Sequence, residues 1–280
     1  MKKSLLFVAA LVASFTLQGQ ITTPQPSPFS KMHQVVGLTD VSIEYSRPSM
    51  RGRTIFGDLV PFDKIWRTGA NARTKITFSD DVSVGGNTLK AGSYAIFTKP
   101  GMNSWDVYFY TETGGGGAPS NWDETKVAAS INVPVIKMTE DVQSFTISID
   151  DLTNNGASLG MYWEKTYVGV PFGVPTADKA KQSIEGVMGG PSANDYFSAA
   201  LYYLQEDLDL NKAKEWIDKA VSMNDKAFWM TRQQSLIYAK LGDKEGAIKA
   251  AKKSLAAAQA AKNGDYIKMN MDSLKEWGAM

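Results

Sequence analysis

The sequence contains no cysteine and only one histidine in 280 residues. Without cysteine the chain forms no disulfide and has no thiolate to serve as a nucleophile or a zinc ligand. It must therefore be stabilised by its hydrophobic core, and its length is sufficient for one or two domains. The lone His33 lacks the companions of a metal site or a catalytic triad, so we interpret it as a surface or capping residue.

No excess of either charge is present, because 30 basic residues balance 29 acidic ones for a net charge of +1. Nucleic-acid and membrane-surface binding require a basic excess, so this balance argues against both. Glycines 114–117 lack the Lys-Ser/Thr continuation of a phosphate-binding loop. Asp207 begins a stretch similar to a calcium loop, but Lys212 stands where glycine is required, which favours a helix cap. We expect no metal and no cofactor.

The N-terminus has the layout of a secretory signal peptide. Lys2 and Lys3 precede an almost wholly apolar run at residues 5–17, which is too short to span a bilayer stably. We predict a signal peptide at residues 1–19, an extended segment at 20–37, no transmembrane segment, and export to the periplasm or the cell exterior. A membrane anchor or a buried N-terminal helix is the alternative.

Several short segments between residues 38 and 172 alternate apolar and polar side chains. This period-two alternation is typical of antiparallel strands with one buried and one wet face. Clear examples are residues 41–45, 105–109 and 145–149. We predict an α+β, multidomain chain that begins with an antiparallel β-sandwich or jelly-roll-like domain at residues 38–172.

The apolar period changes in the last third of the chain. Residues 173–190 are rich in glycine and proline and are predicted to form a linker, and residues 191–280 show the helical period. Ala213 and Ala247 lie 34 positions apart (247 − 213). A 34-residue period with small residues on the second helix resembles the tetratricopeptide repeat, which predicts a short repeat-like helical region that binds a protein partner. A plain helical bundle is the alternative.

Arginine is concentrated in one segment, because five of the six arginines lie within residues 47–73. A guanidinium is a planar fork that grips a carboxylate, a phosphate or several carbonyl oxygens. The segment is therefore either a site for an anionic ligand or an irregular loop that arginines tie together through its own carbonyls. The ligand-binding or loop-locking candidates are Arg51, Arg53, Trp66, Arg67 and Asn71.

The same segment carries a family resemblance. The strings RGRTIFG at residues 51–57 and WRTGAN at 66–71, with AGSYAIF at 91–97, are similar to family 2911 of the domains of unknown function. The resemblance covers residues 28–170 and implies a secreted, β-rich protein of the bacterial envelope. It implies no established activity, ligand or catalytic residue. Glycines 114–117 depart from the Trp-Gly pair that the family pattern leads us to expect.

Two tyrosines mark a second candidate surface. Tyr108 and Tyr110 alternate with Trp105 and Phe109, so they share the face opposite the predicted core. An exposed aromatic strip stacks on sugar rings or on a protein partner, which makes both tyrosines partner-surface candidates and a glycan a candidate ligand. Cover by a neighbouring loop or by the helical tail is the other interpretation.

No catalytic motif is present, and we favour a non-catalytic binding or adaptor protein of the bacterial cell envelope. The alternative is a carboxylate-based hydrolase of an envelope polymer, with Glu164 and an acid such as Asp63 as the pair. In that case Glu164→Gln abolishes turnover without loss of folding, and retained turnover would contradict it. A third hypothesis is a structural role in which the helices mediate self-association.

Overall fold

The structure is a computed structural model that describes residues 23–187 and 190–280. It divides into two compact units, of which the first ends at Thr176 and the second begins at Ala177. We call them the β unit and the helical unit. The predicted signal peptide at residues 1–19 lies outside the described residues, so it stays a prediction.

From residue 23 onward, the β unit has ten antiparallel strands in two sheets. The larger sheet has the strand order β1-β2-β3-β6-β7-β8 and the smaller has β5-β4-β10-β9. The strands are β1 (Phe29–Val36), β2 (Thr39–Ser46), β3 (Lys75–Phe78), β4 (Val82–Val84), β5 (Asn87–Leu89), β6 (Gly92–Pro100), β7 (Ser104–Tyr110), β8 (Val127–Pro134), β9 (Ile136–Asp150) and β10 (Gly156–Gly173).

One hydrophobic core lies between the two sheets. Val41 and Ile43 of the larger sheet and Leu159 and Trp163 of the smaller belong to the same buried cluster. In β2 and β10 the buried side chains alternate with less buried ones, as period-two patterning requires. The predicted α+β layout, with antiparallel sheets followed by helices, is confirmed.

The limits of the β unit differ from those predicted. β1 lies within residues 20–37, which were predicted as extended, and it pairs with β2 along its whole length, before the predicted start of the β domain at residue 38. It is an edge strand with only one fully buried side chain, so the apolar alternation that reveals a strand is weak there. The predicted linker also differs, because the helix α1 (Thr176–Val187) occupies most of it.

The helical unit continues with five further helices, which are α2 (Ala193–Gln205), α3 (Leu210–Met223), α4 (Phe228–Lys240), α5 (Lys244–Ala260) and α6 (Gly264–Glu276). Connections of a few residues join them, so successive helices are antiparallel neighbours. Among the described residues, no helix has the length and apolar character needed to cross a membrane.

The helix pairs α2–α3 and α4–α5 carry the same residue types at equivalent positions. Ala213 of α3 and Ala247 of α5, which the sequence places 34 positions apart, are both fully buried. Asp209 caps α3 by accepting hydrogen bonds from two backbone N–H groups, and Asp243 caps α5 through the N–H of Gly246. Small buried residues let paired helices approach closely, and a carboxylate satisfies the free N–H groups of the first turn.

We expect Asp209→Ala and Asp243→Ala each to lower the free energy of unfolding by about 1 kcal/mol, because each removes a helix cap. Asp225→Ala is the matched control, since Asp225 is exposed in the loop between α3 and α4. Chemical denaturation of the three variants measures the effect. Equal stability of all three would show that the caps do not hold these helices.

Candidate functional site

The arginine-rich segment at residues 47–73 is an irregular loop that is fixed to strands at several points. Ser49 forms an isolated bridge with Ser144 of β9, and Trp66 forms one with Thr98 of β6. The Trp66 bridge has two backbone hydrogen bonds, of 2.7 and 3.0 Å. We call this segment the arginine loop.

An aromatic cluster anchors the arginine loop to the core. Trp66 stacks on Trp163 at 5.8 Å between ring centroids and contacts Phe145 edge-on at 5.1 Å. Phe56 packs against Trp105 at 4.9 Å. Each such pair contributes about 0.5–1.5 kcal/mol beyond the burial of its area. The cluster gives the candidate Trp66 a packing role.

Four of the five arginines donate hydrogen bonds to backbone carbonyls. Arg47 bonds the carbonyl of Phe145 at 3.0 Å, and Arg51 bonds that of Pro26 at 2.8 Å. Arg53 bonds the carbonyls of Met50 and Ser49, and Arg73 bonds those of Gly117 and Glu112. Only Arg53 bonds carbonyls of the arginine loop itself, as the loop-locking interpretation requires, whereas Arg47, Arg51 and Arg73 tie the loop to carbonyls of neighbouring segments.

Arg67 differs from the other four. Its Nε atom is buried, and it has no hydrogen-bond partner among residues 23–187 and 190–280. Asn71, the remaining candidate, donates from Nδ2 to the carbonyl of Ser27 at 3.1 Å and to Oγ of Ser46 at 3.2 Å. Asn71 therefore ties the loop to the start of the β unit, whereas Arg67 makes no hydrogen bond to any of the described residues.

Glu164 holds the other side of the arginine loop. It lies at an irregularity in the β9–β10 pairing and has a φ of +52°, which tilts it out of the strand. Its two carboxylate oxygens accept the N–H groups of Ile55, at 3.3 Å, and Phe56, at 3.5 Å. Glu164 thus contacts the loop backbone rather than Lys165 or an arginine.

A cleft of about 620 Å³ lies beside Glu164. Its walls combine three cations and two carboxylates with neutral polar side chains, so it suits a polar ligand. Asp63, the suggested partner of Glu164 in a hydrolase, is not among the lining residues. The lining residues are Met50, Gly52, Arg53, Thr54, Lys137, Asp141, Gln143, Glu164, Lys165 and Thr166.

The surface predicted at Tyr108 and Tyr110 is covered. Trp122 packs on both rings, at 5.2 Å from Tyr108 and 4.9 Å from Tyr110. Tyr110 is only 1% exposed and forms a small second core with Phe97. Burial raises the pKa of the Tyr108 hydroxyl above its ordinary value. Cover by a neighbouring loop therefore explains this aromatic strip.

His33 and the stretch similar to a calcium loop, which the sequence did not indicate as a metal or catalytic site, make structural contacts. The ring of His33 lies 2.9 Å from the carboxylate of Asp40 on the exposed side of the β1–β2 pair. Asp209, in the stretch similar to a calcium loop, is the N-cap of α3. In the described part of the chain, no group of three or more histidine or carboxylate side chains is placed to hold a metal.

One polar network was not foreseen from the sequence. On the outer face of the β9–β10 pair, Oδ2 of Asp150 accepts the hydroxyl of Tyr162 at 2.6 Å and that of Ser148 at 2.9 Å. Burial, and then the bond to Asp150, raises the pKa of the Tyr162 hydroxyl. A Cβ on Gly160 would lie 2.0 Å from the Asp150 carboxylate, so glycine is required there. Only the register of the two strands brings these residues together.

The fold and the loop define a β-sandwich domain whose distinctive part is a loop closed by arginines. A model of the family described as "Protein of unknown function (DUF2911)" matches residues 27–172, which is the β unit almost from end to end. The chain belongs to this family, as its arginine-loop motifs predicted. No curated protein matches the chain.

We expect Glu164→Ala to lower the free energy of unfolding by about 1–3 kcal/mol, because two partly buried N–H groups lose their acceptor. Glu164→Gln should cost less, since its amide oxygen still accepts one of them. Glu140→Ala is the control, because Glu140 is an exposed carboxylate of β9. Urea denaturation distinguishes the three variants. A Glu164→Ala protein as stable as the control would show that Glu164 does not stabilise the arginine loop.

Proposed function

We propose that the protein is a non-catalytic binding or adaptor protein of the bacterial cell envelope. In this proposal the β unit is the scaffold and the helical unit is a tetratricopeptide-like surface for a protein partner. The shared buried alanines and aspartate caps of α3 and α5 support the repeat assignment. Stacked helix pairs form the extended surfaces on which such repeats bind partners.

An aromatic cluster on the helical unit is the observation that carries the proposal. Phe228 and Trp229, in the first turn of α4, contact each other at 5.1 Å, and Phe228 contacts Tyr266 of α6 at 5.0 Å. Trp229 is 37% exposed, and its two neighbours are partly exposed. Tryptophan and tyrosine supply much of the binding energy at protein interfaces. We call these three residues the α4–α6 aromatic patch.

The contacts of Glu164 favour binding over hydrolysis. A general acid must be available to the substrate, whereas both oxygens of Glu164 accept backbone N–H groups of the arginine loop. The hydrolase hypothesis is still tested by turnover in the Glu164→Gln variant. The cleft beside Glu164 fits a polar ligand of the β unit in either case.

Placement in the envelope rests on the signal-peptide layout of residues 1–19. We expect the protein isolated from the periplasm or the culture medium to begin at Gln20, which N-terminal sequencing or intact-mass measurement would establish. A chain that keeps residues 1–19 and stays in the cytoplasm would refute the envelope proposal.

The partner surface is tested by placing a photoreactive amino acid at position 229 of the full chain in intact cells. We expect a discrete crosslinked protein, identified by mass spectrometry, because Trp229 is the most exposed ring of the α4–α6 aromatic patch. Leu152 is the matched control, since it is an apolar residue of the β unit that is 52% exposed.

A crosslink at position 229 that is absent at position 152 supports the adaptor function. Second copies of the chain as the product would support self-association instead. Equal capture at both positions, or none at position 229, would contradict a partner surface on the helical unit.

A further inference from the structure

The backbone around Arg67 is held rigidly. Trp66 is fixed by its two hydrogen bonds to Thr98, and Thr68 is fully buried in a left-handed conformation with a φ of +56°. The hydroxyl of Thr68 also bonds Oγ1 of Thr98 at 3.1 Å. The backbone from which the side chain of Arg67 projects is therefore fixed on both sides.

The side chain of Arg67 has an unpaired hydrogen-bond donor, although the backbone around it is fixed. Its buried Nε has no acceptor in the described part of the chain, while the other four arginines of the loop all bond carbonyls. A buried N–H of a charged group is costly to leave unpaired. Because this Nε has no accessible surface, a ligand reaches the guanidinium through its Nη atoms.

The loop next to Arg67 offers hydrogen-bond donors. Residues 114–117 are all glycine, and we call them the glycine loop. A Cβ on Gly117 would lie 3.9 Å from Nη1 of Arg67, which places the loop at the end of the guanidinium. Gly115 and Gly117 have φ of +104° and +102°, conformations that only glycine adopts readily.

The carbonyls of this region are already occupied by Arg73. Its backbone N–H bonds Gly115 at 3.2 Å, its Nε bonds Gly117 at 3.2 Å and its Nη1 bonds Glu112 at 2.8 Å. In contrast, no N–H of the glycine loop has an acceptor among the described residues. Successive backbone N–H groups in a turn form a concave site for an anion when they point to the same side.

We propose that Arg67 and the glycine loop form a binding site for a carboxylate or phosphate group. The Nη atoms of Arg67 contact the anion, because Nε has no accessible surface, and the glycine N–H groups donate to its remaining oxygens. The site is separate from the α4–α6 aromatic patch, so each proposal stands or fails by itself.

The local charges favour an external anion. Glu112 is the carboxylate nearest to this region that forms ion pairs, and Lys126 holds it at 2.7 Å while Arg73 lies 3.7 Å away. Arg73 in turn lies over the ring of Phe97, 5.4 Å from its centroid. Within the described residues Arg67 thus has no ion pair with a carboxylate, whereas Arg73 is engaged with Glu112 and with the Phe97 ring.

The test uses the amide NMR signals of the glycine loop in the mature chain, titrated with inorganic phosphate or with acetate. Sodium chloride at matched ionic strength is the reference for non-specific screening. We expect saturable shifts of the signals of residues 114–117 in phosphate, in acetate or in both, and the more potent anion identifies the ligand group.

Two variants separate the proposed site from general charge effects. Arg67→Met should abolish the saturable shifts, and Arg67→Lys should weaken binding by about tenfold to a hundredfold, which corresponds to one charge-assisted hydrogen bond. Arg51→Met is the matched control with the same loss of charge, since Arg51 is exposed and bonds only the Pro26 carbonyl. It should bind like the wild type.

Shifts no larger than those in sodium chloride would overturn the proposal, and so would shifts that persist unchanged in Arg67→Lys. The lysine variant covers the case in which Arg67→Met does not fold.

Discussion

The β unit depends on how an irregular loop of about a tenth of the chain is closed over the core. Such a loop leaves its backbone carbonyls without the partners that a sheet or helix supplies, and unpaired buried carbonyls are costly. Guanidinium groups compensate because each donates several hydrogen bonds from one planar head. Arg53 bonds carbonyls within the loop, and Arg47, Arg51 and Arg73 fix the loop to carbonyls of neighbouring segments.

The hydrogen bonds of the other arginines also distinguish Arg67 as the candidate site residue. Once Arg47, Arg51, Arg53 and Arg73 are committed to carbonyls, Arg67 is the one arginine of the segment without a hydrogen bond among the described residues. It lies next to the glycine loop, whose N–H groups have no acceptor in that part of the chain either. Glu164 completes the closure from the other sheet by accepting N–H groups of the loop. We therefore propose that locking and binding are different tasks of neighbouring arginines, rather than alternatives for the whole segment.

Local patterning predicted the strands of the sandwich, the helix pairs and the arginine loop, since these depend on residues close in sequence. The prediction was less successful for features that depend on contacts between residues far apart in the sequence. β1 is recognisable only from its pairing with β2, and the Asp150–Tyr162 network depends on strand register. The alternation of β7 also predicted an exposed strip at Tyr108 and Tyr110. Nothing in the neighbouring sequence indicates that Trp122 packs over both rings.

The division of labour among the arginines is tested most directly by a series of arginine-to-methionine variants at positions 47, 53, 67 and 73. Their melting temperatures would be compared in a buffer without phosphate or carboxylate. We predict a lower melting temperature for the variants at 47, 53 and 73, and an unchanged or higher one at 67, where a side chain with an unpaired buried Nε is removed. An equal fall at all four positions would contradict this prediction, because Arg67 would then lock the loop like the others.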